Sequence, residues 1–399
     1  MYKSTVILFI LASLLSCNQK QELDTDVLLK MNEEKLRATL ENMEQDGKMP
    51  RMITKGEKEW SKSGINNWTS GFFPGLLWQT YAYSGQKEWL TTAEKHTQSL
   101  ESIKHLPWKT HDLGFMAFNS YGLGYKSTKN EQYKAILLET ADSLATLFNP
   151  QVGTMLSWPW MKRKKGWPHN TIIDNMLNLE LLFWASKNGG PKHYYDYAVT
   201  HAENTKKNHF RDDYSTYHVV VYDSISPKIL KKITDQGFSD ESVWARGQAW
   251  AIYGFTMCYR ETGMEDFLIT AQRSADYYIA NLPEDHVPFW DFKDPSIPNS
   301  EKDASAGAIA ASALLELSQL TKDKQLKANY FDAASNILYS LSSEDYISKN
   351  SNALLKHSVG NKPADSEIDV SLIYADYYFL EALLRRKELR DQYESLLKP

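Results

Sequence analysis

The feature that most constrains this chain is an alternation between two kinds of helical segment. Apolar periodicity with Gly and Pro punctuation marks about twelve helices, at approximately 26–46, 70–84, 87–105, 112–126, 130–148, 171–188, 191–208, 242–262, 264–281, 303–321, 325–345 and 366–386. Every second segment is poor in charge and carries small residues: Gly71 and Gly75, Gly114 and Gly122, Gly247 and Ala249, then Ala304-Ser305-Ala306-Gly307-Ala308-Ile309-Ala310-Ala311. The others, such as Glu33 to Glu44, Glu88 to Lys104, Glu131 to Asp142 and Lys324 to Tyr339, are amphipathic with broad polar faces. Small residues let helices approach closely, so the first set is expected inside and the second outside. Alternating inner and outer helices, taken six times, describe an all-α fold, an (α/α)6 barrel. No sequence identity links the hairpins, so a pattern repeats and not a motif.

Charge and cysteine content exclude several classes. The net charge is -5, with acids and bases mixed and no long Lys/Arg block, which argues against a nucleic-acid partner. Of the two cysteines, Cys258 falls in an apolar helix and reads as core, so no disulfide framework exists. CxxC and HExxH patterns are absent, and His201 and His209 lack further ligands at metal spacing, so neither metal nor cofactor is expected. Aromatics make up 13%, with 12 Trp and 23 Tyr, more than packing alone asks for; flat rings in a cleft suit sugar faces.

The N-terminus reads Met1-Tyr2-Lys3, an apolar run from Val6 to Leu15, then Ser16-Cys17. This is the short, basic-headed pattern of an export signal, too short to span a bilayer. It resembles a bacterial lipoprotein signal, in which residues 1–16 are removed and Cys17 carries lipid. Residues 17–26 then form a tether and 27–399 the (α/α)6-barrel domain. The protein is expected at the bacterial cell envelope, touching a membrane only through its lipid.

In an (α/α)6 barrel the connections into the inner helices open at one end. Those helix starts bring together Trp68, His111, Asp112, Asp174 with Asn178, Arg246 and Trp250, and the long segment 211–241 adds His218 and Gln236. Two carboxylates, two imidazoles, a guanidinium, amides and indoles together suit an acidic sugar: the carboxylates for acid/base work, Arg246 facing the substrate charge bidentately, the indoles stacking. Each also has a plain structural reading. Asp174 and Asp112 can be acids at helix starts that cap or offset a dipole, His111 a satisfied buried histidine, Arg246 the partner of Glu241 or Asp240, and Trp68 and Trp250 core. Their convergence favours a site.

Five stretches carry a specific resemblance. Asn67-Trp68-Thr69-Ser70-Gly71-Phe72, His111-Asp112-Leu113-Gly114-Phe115, Ile172-Ile173-Asp174-Asn175-Met176-Leu177-Asn178-Leu179, Thr216-Tyr217-His218 and Ser242 to Phe255 resemble the motifs of the unsaturated glucuronyl hydrolases, glycoside hydrolase family 88. The resemblance runs from about Asn67 to Tyr378. It implies an (α/α)6 barrel that removes a 4,5-unsaturated uronic acid from the non-reducing end of oligosaccharides left by a polysaccharide lyase. The implied chemistry is hydration of the C4=C5 vinyl ether. Asp174 would be general acid and then base, with Asp112 as the second essential carboxylate. His218, Gln236, Arg246 and Trp250 would surround the sugar, with His111, Trp68 and Trp158 completing the pocket; Trp160 and Trp167 compete with Trp158 for its place.

The sugar beyond the cleaved bond is read by loops. Ser358, Asn361 and Lys362 offer a hydroxyl, an amide and an ammonium, donors that suit a sulfate; the alternative is a solvated loop. Two other functions stay open at this point: an unsaturated rhamnogalacturonyl hydrolase and a non-catalytic glycan-binding lipoprotein. A conventional inverting glycosidase on the same fold would need two suitably spaced carboxylates but no double bond.

Overall fold

The computed structural model describes residues 23–44 and 46–397. The expected signal 1–16, Cys17 and the first part of the tether lie outside the described residues. Asp24 caps the first helix, its Oδ1 accepting from the Val27 N–H at 3.1 Å, so α1 (Thr25–Glu41) already includes the last two tether positions. The chain then alternates. α2 (Phe72–Ser84) is followed by α3 (Lys87–Gln98) and a 3-10 turn at Glu101–His105. α4 (Leu113–Ala117) runs through a π turn (Phe118–Gly122) into α5 (Leu123–Thr128), one continuous rod, and α6 (Glu131–Ala145) returns outside. After the short α7 (Met161–Lys165) come α8 (Asn175–Lys187), α9 (His193–His209), α10 (Ala245–Thr262), α11 (Glu265–Ala280), α12 (Ala304–Leu320), α13 (Lys324–Leu341) and α14 (Ile373–Leu397).

Among the described residues six rods close an inner ring. α2, the α4–α5 rod, α8, α10, α12 and α14 each pack on the next, and α14 returns to α2. Small residues make this possible. A Cβ on Gly254 in α10 would lie 2.4 Å from Met176 Cβ in α8, and one on Gly114 would lie 2.5 Å from Asn178 Cα. α12 is buried on every side from Ala304 to Ser318, as its single charged residue, Glu316, leads one to expect, whereas outer α3 buries only Trp89, Ala93 and Thr97, one stripe at i, i+4 and i+8. The (α/α)6 barrel expected from the alternation is the fold.

Short strands ornament the mouth where the inner helices start. β1 (Met49–Ile53) pairs antiparallel with both β2 (Ser61–Ser63) and β8 (Ser371–Leu372). β3 (Phe148–Asn149) pairs with β4 (Thr154–Met155). β5 (His169–Ile172), β6 (Val219–Tyr222) and β7 (Ile229–Ile233) form a second three-stranded sheet.

Two expected boundaries are corrected. The sixth helix starts at Asn175, not Thr171, because Thr171 and Ile172 pair with Val220 and Val219 across β5 and β6. The last helix starts at Ile373, not 366. Asp365, Glu367 and Asp369 look like the acidic first turn of a helix, but their φ values of 51°, 56° and 54° are left-handed and fold the chain into a narrow hairpin instead. Asn361 and Ser366 bridge across that hairpin.

Close packing makes a comparative prediction. Gly254→Ala should destabilise by roughly 1–3 kcal/mol through the Met176 clash. Gly307→Ala in α12, where the nearest atoms stand 3.5 Å from an added Cβ, should be neutral or stabilising. Denaturant midpoints of the two variants decide it; equal losses would mean that the inner ring tolerates no added volume anywhere.

Candidate active site

The starts of five inner rods line one cleft of about 160 Å³, room for a single sugar ring, and the start of α12 stands behind it through Asp303, the partner of Arg246. Trp68 precedes α2, Asp112 and Asp174 stand at the N-cap positions of α4 and α8, Arg246 is in the first turn of α10, Asp303 caps α12 and Tyr374 begins α14. Converging helix N-termini favour a bound anion. Of the expected residues, Trp68, His111, Asp112, Trp158, Asp174, Gln236, Arg246 and Asn361 line the cleft.

The capping reading of the two acids fails. Neither carboxylate accepts a hydrogen bond from its own helix start. Asp112 Oδ2 instead accepts from the Thr110 hydroxyl at 2.6 Å. Asp174 Oδ2 has no protein hydrogen-bond partner. Burial pushes the Asp174 carboxyl up to about 7, with Arg246 and its own backbone N–H pulling down and Asp112 adding to the rise.

Two neutral histidines face these acids, with tautomers set by their supports. The Phe115 N–H donates to Asn178 Oδ1 at 2.9 Å, so the Asn178 amide turns its Nδ2 to His111 Nδ1 at 3.4 Å. The proton of His111 is therefore on Nε2, 3.4 Å from Asp112 Oδ1. His218 Nδ1 accepts from the backbone N–H groups of Asp235 (3.1 Å) and Gln236 (3.2 Å), which leaves Nε2–H aimed at Asp174 Oδ2, 3.7 Å away. Burial holds both imidazoles below their ordinary pKa, His218 well below, with Arg246 adding to its fall. His111 Nε2, His218 Nε2, Trp250 Nε1 and the Tyr374 hydroxyl all lack protein partners. Of these His111 and Tyr374 are in the cleft wall, where buried polar atoms left open mark a place for a polar ligand, while His218 and Trp250 lie behind it.

The aromatic wall is positioned as carefully. Asn67 Oδ1 accepts from the backbone and hydroxyl of Thr69, at 3.1 and 2.8 Å, in the turn that presents Trp68 against Tyr374. Asn170 clamps the Trp158 backbone from both sides, at 3.1 and 3.0 Å. Its place in the cleft wall settles the choice among the tryptophans: Trp160 is exposed, and Trp167 is buried but absent from the cleft wall.

Other expectations are corrected. Arg246 has no free bidentate edge: Nη1 meets Asp303 Oδ2 at 3.1 Å and the Val359 carbonyl, and Nη2 meets Gln236 Oε1 at 2.9 Å and the Gly360 carbonyl at 2.6 Å. Its partner is Asp303, not Glu241 or Asp240. Trp250 does not stack in the cleft; it is buried behind Phe115 and Tyr378. His218 likewise stands behind the wall, edge-on to Trp158. Lys362 and Ser358 are not brought into the cleft. The Lys362 ammonium is paired with Glu301 and, at 3.3 Å, Asp294, while Ser358 pairs through its backbone with Val370. Arg51, Phe115, Ile172, Gly360, Glu367 and Tyr374 complete the lining. Arg51 carries no signal in the sequence beyond a lone base in a short apolar run.

Because the native carboxyl of Asp174 titrates near 7 and an unfolded one near 4, the native state binds the extra proton between those values, and stability falls as pH rises across that window. Asp174→Asn removes the titration. Its Tm should therefore gain on the wild type by about 5 °C at pH 8 relative to pH 4.5; a constant difference would mean that the carboxyl titrates normally.

The family model for Glycosyl Hydrolase Family 88 matches residues 34–385. A protein of Formosa agariphila named unsaturated glucuronyl hydrolase is 44% identical over 346 residues, covering 85% of each chain. An unsaturated chondroitin disaccharide hydrolase of Streptococcus pneumoniae is 33% identical, covering 80% of this chain and 81% of its own. The crystal structure of an unsaturated glucuronyl hydrolase specific for heparin superposes with a TM-score of 0.86 at 41% identity, over 92% of this chain and 98% of the other. Fold, site geometry and these likenesses agree: the chain belongs to glycosyl hydrolase family 88.

Proposed function

We propose that this glycosidase removes a 4,5-unsaturated uronic acid from the non-reducing end of glycosaminoglycan-type oligosaccharides by hydrating the C4=C5 vinyl ether. The carrying observation is Asp174 in the wall of a one-sugar cleft, a largely enclosed carboxyl whose Oδ2 is buried without a protein partner and whose pKa is raised to about 7. Carbon is a weak base, so C4 needs an acid that is still protonated near neutrality and conjugated to a carboxylate able to take a proton back.

Asp174 gives its proton to C4, and positive charge develops at C5 and the ring oxygen. Water adds to C5 and returns a proton to Asp174, leaving a hemiketal. The C5–O5 bond then breaks to a C5 ketone, and the hemiacetal at C1 collapses to an aldehyde as the next sugar leaves. Asp112, oriented by Thr110, binds hydroxyls and faces the developing positive charge. The Nε2–H of His218 and the indole N–H of Trp250 flank Asp174 and support its carboxylate form during the step. The sugar carboxylate meets the positive field of the helix N-termini and of Arg246.

Relatives named for chondroitin disaccharides and for heparin differ in the sugar next to the bond, so the terminal uronate is the shared element. A C4=C5 double bond is what β-elimination leaves, so a polysaccharide lyase supplies the substrate. The N-terminal pattern supports a lipoprotein: Cys17 would carry the lipid that holds the enzyme at the bacterial envelope.

An unsaturated chondroitin or heparin disaccharide should lose its near-ultraviolet absorbance with wild type and keep it with Asp174→Asn. kcat/KM should fall as pH rises through about 7, where Asp174 loses its proton. In 18O-water the label should enter the C5 ketone; label at the anomeric carbon, or turnover of a saturated glycoside, would point to ordinary displacement. Palmitate fed to producing cells should label wild type and not Cys17→Ala; equal labelling refutes the anchor.

A further inference from the structure

A cleft that takes an anion needs a cation with free donors, and Arg246 has spent both of its terminal nitrogens on the protein. Arg51 has not. It stands on β1 in the cleft wall, its side chain is 26% exposed, and it is held through one nitrogen, Nε to Glu367 Oε1 at 2.6 Å. Among the described residues its Nη1 and Nη2 have no hydrogen-bond partner. Those two nitrogens form the fork that matches two oxygens of a carboxylate or sulfate.

Glu367 is built to aim this fork. Its backbone is left-handed, with φ 56°, and its side chain lies where a Cβ on Gly360 would come within 2.2 Å. Gly360 is thus the residue that lets Glu367 lie over the cleft rim, and the Gly360 N–H donates to the Glu367 carbonyl at 2.7 Å. Holding Arg51 by Nε alone fixes the plane of the guanidinium while leaving its far edge open. Exchanging solvent for a bound oxyanion at that edge breaks nothing in the protein, whereas freeing Arg246 would strand Asp303, which is fully buried.

The geometry points to Arg51 as a specificity-determining residue that grips an oxyanion of the bound saccharide, with Glu367 as its positioning residue. The oxyanion is either the carboxylate of the unsaturated uronate or a sulfate on the sugar beyond the cleaved bond. The inference rests on the hydrolase reading above.

The test is steady-state kinetics at low ionic strength with wild type, Arg51→Gln, Arg51→Lys and Glu367→Gln, on an unsaturated uronyl disaccharide without sulfate and on its sulfated counterpart. Arg51→Gln should raise KM roughly ten- to a hundredfold with kcat nearly unchanged, and Arg51→Lys should recover part of the loss. Loss on both substrates assigns the uronate carboxylate; loss on the sulfated one alone assigns the sulfate. Glu367→Gln keeps an amide oxygen that accepts from Arg51 Nε, so the fork stays aimed while the charge that competes for it is removed; its KM should stay level or fall. An unchanged KM for Arg51→Gln on both substrates overturns the inference, and so do equal rises for Arg51→Gln and Glu367→Gln, the signature of a merely structural pair. Failure of wild type on every unsaturated substrate sinks the hydrolase reading itself, which separates the two.

Discussion

The rest of the site depends on one buried ion pair, Arg246 with Asp303. Taking both charges out of water is tolerable only if their other donors and acceptors are met, and here both Asp303 oxygens and both terminal nitrogens of Arg246 have protein partners. Asp303 Oδ1 caps α12 through the Ser305 N–H at 3.0 Å and accepts from the Val359 N–H at 3.3 Å, while Oδ2 takes the guanidinium. Arg246 in turn holds the Val359 and Gly360 carbonyls and Gln236. One pair therefore joins two inner helices to the hairpin that carries Asn361 and Glu367, and so shapes the cleft rim. A positive charge also stays at the cleft floor, although its hydrogen-bonding edge is used up.

That charge helps tune Asp174. Burial drives its carboxyl upward while Arg246 draws it back, and the balance lies near neutrality, where one group can serve as acid and then as base. The histidines matter because they are neutral. A protonated His218 would add a second positive charge beside Asp174 and depress its pKa; the backbone N–H groups on its Nδ1 and its burial keep it a hydrogen-bond donor without charge. Trp250 offers Asp174 another such donor from behind the wall.

Much of this site is legible in the sequence for a local reason. Trp68, His111, Asp112, Asp174 and Arg246 sit at the starts of inner helices, and helix starts can be read from periodicity and small-residue content. Trp158 needed the structure, since only its place in the cleft wall, where Asn170 clamps it, separates it from exposed Trp160 and from Trp167. Arg51, Glu367 and Tyr374 were not legible as site residues. Arg51 reaches the cleft because β1 pairs with β8, at the other end of the chain, and Glu367 because a left-handed backbone replaces the helix turn that its acidic neighbours suggest. The lysine expected to meet a sulfate, Lys362, is instead neutralised by Asp294 and Glu301.

By itself, the sequence determined the ring. Alternating close-packing and amphipathic helices leave few ways to bury the apolar surface, and that pattern is local and periodic. It also determined which end of the ring carries chemistry, because the polar and aromatic side chains gather at inner-helix starts. Tertiary structure alone decided protonation, donor availability and partner choice: that Asp174 is buried enough to hold its proton, that Arg246 is committed to Asp303, and that Arg51 keeps an open edge. Those properties depend on contacts between residues far apart in the chain and on exclusion of water, neither of which a linear pattern encodes.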